Sequence, residues 1–129
     1  MSEDKKAKMA YIDVNYVVNQ SVDVQNLKFE TAQKNKDLQI WLSKVNTDVM
    51  ERPTKEEQEQ LIAQYNQEYT AKQNAIRQDY NLKLQQIDAK ITAIIAEEAK
   101  KLDYDFIFAK GSLLYGGEDI TLKIAELVK

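Results

Sequence analysis

With neither histidine nor cysteine among 129 residues, the chain has no imidazole base, no thiolate nucleophile and few of the side chains that bind zinc. Carboxylate, ammonium, hydroxyl and phenol groups remain. Glu56, Glu57 and Glu59 crowd the segment after Pro53, and carboxylate oxygens suit calcium or magnesium. The same residues also describe the solvated acidic first turn of a helix, favoured by the helix dipole, and that simpler reading is preferred. Glu97-Glu98 beside Lys100-Lys101 reads as exposed pairing along a helix. Gly111 and Gly116-Gly117 lack the spacing of a phosphate-binding loop and read as turns. No carboxylate pair is singled out for acid–base work. The expectation is a binding protein, not an enzyme, without metal or other cofactor.

Tyr65, Tyr69, Ile76 and Tyr80 belong to a longer apolar stripe that begins at Leu61, includes Lys72, and continues through Leu84, Ile87, Ile91, Ile94 or Ile95 and Glu98 to Leu102. Its mean spacing of about 3.7 lies close to an eleven-residue repeat. No glycine or proline interrupts it, which predicts one helix of about 48 residues, roughly 70 Å long. A partner stripe of Leu27, Leu38, Trp41, Leu42, Val45 and Val49 predicts a first helix before it. Between them stands the only proline, Pro53, in a segment 51–54 that suits the tip of a hairpin. Thr54 with Glu57 has the pattern of a capping box. Trp41, Tyr65, Tyr69, Ile76 and Tyr80 are thus candidates for the seam between the arms or for contact with a bound chain, the seam being the commoner fate of such a stripe.

The ends of the chain differ in character. Residues 9–14 (MAYIDV) suit a short strand, and Asn15 suits a cap for the helical turn that follows. Ser21 or Asp23 suits the cap of the next helix. Residues 105–109 (DFIFA) and 113–115 (LLY), separated by Lys110-Gly111-Ser112, predict a β-hairpin. Asp119 suits the cap of a last amphipathic helix in which Ile120, Ile124, Leu127 and Val128 face inward. Two or three short strands are marginal alone, so the first strand is expected to join the last two in one sheet.

The expected fold is therefore α+β and mostly α: a small β-sheet body with a long antiparallel helical hairpin inserted between strand 1 and strands 2–3. Residues 9–22 and 103–129 form a discontinuous body, residues 23–102 the hairpin arm, and residues 1–8 a polar tail. A body this small leaves strand edges to be covered, which predicts oligomerisation. Its candidate residues are Ile12, Val14, Phe106, Ile107, Phe108, Leu113, Leu114 and Ile120. No run of residues is apolar for the roughly 18–20 positions that span a bilayer, and the first octet lacks the apolar centre of a signal peptide. A net charge of −3 and the lack of a basic stripe argue against nucleic acid as a partner.

The segments KMAYIDVNYVVNQS and YDFIFAKGSLLYGGEDITLKIAELVK, on either side of a Gln/Lys/Glu-rich helical middle, resemble the Skp/OmpH family of periplasmic chaperones. The likeness spans the chain after the first octet. Its specific part is Tyr104 to Ala109, then Leu114-Tyr115, then Asp119-Ile120-Thr121. The resemblance implies a homotrimer whose sheets form a central body and whose arms surround a cavity. There, unfolded outer-membrane or other envelope proteins are held without nucleotide hydrolysis. It also implies a periplasmic location, reached through an export signal since removed. Family members known as chaperones are strongly basic, whereas this chain has a pI near 5.1 and near-neutral arms. No lipopolysaccharide site is carried over, and contact with lipopolysaccharide or anionic membranes runs against the charge balance. A helical adaptor for one folded partner is the alternative. A prefoldin-like arrangement would place strands between the helices, whereas here they flank them.

Overall fold

The computed structural model describes residues 6–129. It is mostly helical with a small three-stranded sheet, in the α+β, mostly α class. Of the expected polar tail, residues 1–5 lie outside the described residues, and residues 6–8 form no helix or strand. In chain order the elements are β1 (Met9–Ile12), α1 (Val14–Gln20), α2 (Val22–Met50), α3 (Lys55–Lys101), β2 (Phe106–Ala109), β3 (Glu118–Asp119) and α4 (Thr121–Val128). They divide into two compact units. The first joins the N-terminal part through Asn26 to Leu84–Lys129, and the second is Leu27–Lys83.

In the first unit β1 occupies the centre of the sheet, and β2 and β3 flank it, both parallel to it. Met9 through Ile12 pair with Phe106 through Ala109 on one edge, and Ala10 and Tyr11 pair with Glu118 and Asp119 on the other. Ala10, Ile12, Val17, Ile91, Tyr104, Ile120, Ile124 and Val128 make one buried cluster. Ile12, Ile120 and Ile124 are almost wholly withdrawn from solvent, and burial of this kind stabilises by roughly 1.5–3 kcal/mol per side chain.

The hairpin expected over residues 105–115 does not form. Lys110–Ser112 coils into a 3-10 turn, residues 113–115 are not a strand, and the chain crosses to the far edge of β1 to make β3. β2 and β3 run in the same direction on opposite edges of β1, so no tight turn can join them, and the crossing uses everything from Lys110 to Gly117. Gly116 and Gly117 adopt φ of 90° and 88°, a region that costs little only without a side chain. A Cβ on Gly117 would lie 3.4 Å from the Tyr11 ring.

Other local expectations shift by a residue or two. The strand ends at Ile12, so Val14 opens α1 instead of closing β1. Asp13, not Asn15, caps that helix, its carboxylate accepting the Tyr16 N–H at 3.2 Å. Ser21 caps the start of α2 by accepting the Val24 N–H. Ile120 is the residue that precedes α4, one place after the expected cap. In α4 the buried stripe is Thr121, Ile124, Ala125 and Val128, and its centre turns Leu127 outward, where it is 47% exposed. At the end of α3, Asp103 takes a left-handed φ of 62°. The N–H groups of Asp103 and Tyr104 return to the carbonyls of Lys100 and Ala99, the Schellman closure usually built with glycine.

In the second unit, Leu27, Leu38 and Val45 of α2 are buried. Leu61, Tyr65, Tyr69, Ile76 and Tyr80 of α3 are half-buried. Lys72 is instead exposed, with its ammonium 5.2 Å above the Trp41 ring. As the position in α2 rises from Glu30 to Lys34 to Asp48, its hydrogen-bond partner in α3 falls from Lys83 to Asp79 to Tyr65. Thr54 accepts the Glu57 N–H at 3.1 Å, which is the first half of a capping box.

Candidate functional site

The most exposed large apolar side chains among the described residues, Leu114 and Tyr115, lie in the first unit where the chain crosses between strands. Phe106 of β2 is 54% exposed, Tyr115 is 94% exposed, and Leu114 is fully exposed. Gly117 lies close against Tyr11, and beside them is a recess of about 550 Å³ that Lys110 and Leu113 help to line. The Phe106 and Phe108 rings stack with centroids 6.0 Å apart. Polar bonds brace the framework around them. Tyr104 donates from its phenol to Glu118 at 2.5 Å, which holds the phenol above its usual range. The hydroxyl of Thr121 donates to Asp119 at 2.5 Å while accepting the Asp13 N–H. This hydroxyl, followed by the Thr121 N–H, holds the Asp119 carboxyl below the usual carboxylate range.

Candidate residues of the body fall into two groups. Ile12 and Ile120 lie inside the core of one chain, so they support the body without offering surface. Val14, Phe106 and Leu114 are exposed, and Ile107, Phe108 and Leu113 are half-buried.

The aromatic candidates of the second unit form a cluster. Trp41 meets Tyr65 edge-on at 5.8 Å and stacks on Tyr69 at 6.5 Å. Tyr65 donates to Asp48 at 2.6 Å, and that carboxylate holds the phenol above its usual range. Ile76 and Tyr80 lie further along the same seam. Beside them, Glu30, Lys34, Asp79 and Lys83 form a closed ring of ion pairs at 2.5–3.3 Å. Mutual bonding lowers the two carboxyls and raises the two ammonium groups. The ring was not anticipated, although Glu30 with Lys34 and Asp79 with Lys83 carry its signal as opposite charges four residues apart.

Glu56, Glu57 and Glu59 are exposed, and among the described residues no cluster of acidic side chains is placed to hold a metal ion. No described helix is long and apolar enough to cross a membrane. No family model matches the chain, and no curated protein matches it.

Proposed function

We propose that this chain is the subunit of a homotrimeric, ATP-independent holdase chaperone for unfolded outer-membrane or other envelope proteins in the periplasm. Residues 9–22 and 103–129 serve as the oligomerisation body. Residues 23–102 form an antiparallel helical hairpin inserted between β1 and the later strands, with its tip near 51–54, and clients are held between the arms of neighbouring copies. The chain acts by binding, without catalysis or cofactor. The falling order of α3 partners along α2 supports the antiparallel hairpin.

The observation that carries the reading is the uncovered apolar crossing at Leu114 and Tyr115, together with exposed Phe106 on an open edge strand. Exposed apolar groups next to unpaired strand edges favour association, and this unit has too little core to dispense with it. Mutual covering of the bodies by self-association leaves the long polar helices free to hold a chain that cannot yet fold. A holdase needs no fuel, since it only withdraws the unfolded state from aggregation.

Light scattering with small-angle X-ray scattering over a dilution series tests the assembly. A stable trimer that Phe106→Asp dissociates is the expected result, and a monomer or dimer would remove the cavity from the proposal. Suppression of aggregation of several unrelated urea-unfolded β-barrel proteins, at near one trimer per client, tests the activity. Binding to a single folded protein through one or two dominant residues would favour the adaptor instead.

A further inference from the structure

The two sides of the second unit differ in chemistry. Relative to the buried positions Leu38 and Val45, a step of three residues falls short of a full helical turn and a step of four overshoots it. Lys34 and Asp48 therefore fall on one side of the seam, and Asn35 and Leu42 on the other. In α3 the same steps from Ile76 send Asp79 to one side and Gln73 and Tyr80 to the other. Every ion pair joining α2 to α3 in this unit lies on the first side.

The second side carries two grooves and almost no charge. One, of about 530 Å³, is lined by Leu42, Asn46 and Met50 from α2 with Ile62, Asn66 and Tyr69 from α3. The other, of about 400 Å³, is lined by Thr31 and Asn35 with Gln73, Asn74 and Tyr80. Gln73 donates to the Tyr69 hydroxyl at 2.8 Å, which joins the grooves. Arg77 is the single charged lining residue of the pair, and its guanidinium is engaged with Asn74 at 2.6 Å. Met50 is 81% exposed and Ile62 45% exposed.

We infer that this nearly uncharged side is a docking groove for an extended, uncharged polypeptide segment that mixes apolar and neutral polar residues. The inference rests on the holdase reading and specifies which face of the arm grips the client and by what chemistry. Its shape fits an extended chain: from Ile62 to Tyr80, α3 rises about 27 Å, the length of about eight extended residues. Its lining fits a main chain, because carboxamides both donate and accept hydrogen bonds, as each peptide unit requires. Exposed Met50 and Ile62, with the bodies of Tyr69 and Tyr80, supply apolar contact without a fixed register. Arg77 is the one charge in the two grooves, its guanidinium held against Asn74, while the ion pairs lie on the opposite side, so neutral segments are favoured over segments rich in charge and binding depends little on salt.

The test uses the full-chain protein and a short fluorescent peptide of Val, Thr, Tyr and Gln, together with versions carrying several Lys or several Glu. Anisotropy should show the neutral peptide bound at least about tenfold more tightly than either charged version, with its affinity unchanged within about twofold from low to high salt. Met50→Glu, Ile62→Glu and Asn66→Glu should each weaken it about tenfold, while Leu82→Glu, exposed on the opposite side, should leave it unchanged. Equal loss with Leu82→Glu, preference for a charged peptide, or a steep salt dependence would overturn the groove. If the wild type protects urea-unfolded β-barrel proteins and the groove variants protect them equally well, the groove is wrong and the holdase reading stands. If the wild type protects none, both readings fall. If the groove variants instead change the mass of the assembly and the peptide does not bind, the face covers a second copy of the chain and the peptide groove is excluded.

Discussion

The hydroxyl of Thr121 accepts the backbone N–H of Asp13 at 2.9 Å across 108 residues of sequence. The same oxygen donates to Asp119. One side chain thus ties the end of β1 and the start of α1 to the last turn before α4, inside a body whose three strands are very short. Thr121 is 7% exposed, so removing the hydroxyl would leave the Asp13 N–H short of a partner in a largely dry setting. Thr121→Val should cost about 1–3 kcal/mol in urea unfolding of the first unit. Thr121→Ser should recover most of that loss, and equal losses for both variants would mean that the methyl group, not the hydrogen bonds, matters.

Asp119 makes that tie sensitive to acid. Its carboxyl is held below the ordinary value of 3.8 by the Thr121 hydroxyl and then by the Thr121 N–H. A lowered folded-state value means that the ionised form stabilises the fold. That contribution is complete above the ordinary value and is lost as pH falls through the lowered one. Glu30 and Asp79 are lowered too, so the acid slope has a second source in the other unit. Urea midpoints from about pH 5 to about pH 2 should show a shallower acid slope in Asp119→Asn than in the wild type. Identical slopes would exclude Asp119 as a contributor.

Asp103 holds a left-handed backbone at the end of α3, where glycine is cheaper and where a carboxylate faces the negative end of the helix dipole. Asp103→Gly should stabilise the protein by about 0.5–1 kcal/mol, read as a higher urea midpoint with an unchanged slope. A lower midpoint would mean that the Asp103 side chain contributes more than its backbone conformation costs.

Trp41 is the only tryptophan and sits between Tyr65 and Tyr69. Trp41→Ala removes an edge contact and a stacking contact from a half-buried site, so a loss of about 2 kcal/mol is expected in the unfolding of the second unit. Helical circular dichroism would follow that transition in the variant, and tryptophan fluorescence would follow it in the wild type. A loss well under about 1 kcal/mol would show that the seam depends on Leu38 and Val45 alone.

The long helices were the most legible part of the sequence. Leu38, Val45, Tyr65 and Ile76 recur at helical spacing with nothing between them that breaks a helix, and periodicity of this kind is local information. The end segments were legible as to type but not as to pairing. FIFA reads as a strand wherever it lies, yet KGS fits a hairpin turn as well as it fits the 3-10 turn observed. Caps moved for the same reason: Asp13 and Asn15 are both competent, and where β1 stops pairing decides between them.

Residue types and their periods alone determined that the chain is mostly helical, that a helix break falls near Pro53, that thiol and imidazole chemistry are missing, and that short strands flank the helices. Those properties follow from backbone propensity and side-chain chemistry, which each residue carries with it. Only the tertiary structure decided that β2 and β3 lie on opposite edges of β1 and run parallel to it, and that Glu30, Lys34, Asp79 and Lys83 close into one ring on a single side of the seam. Those outcomes depend on which distant segments satisfy one another's hydrogen bonds and charges, a choice settled by packing in three dimensions and invisible in any local window of sequence.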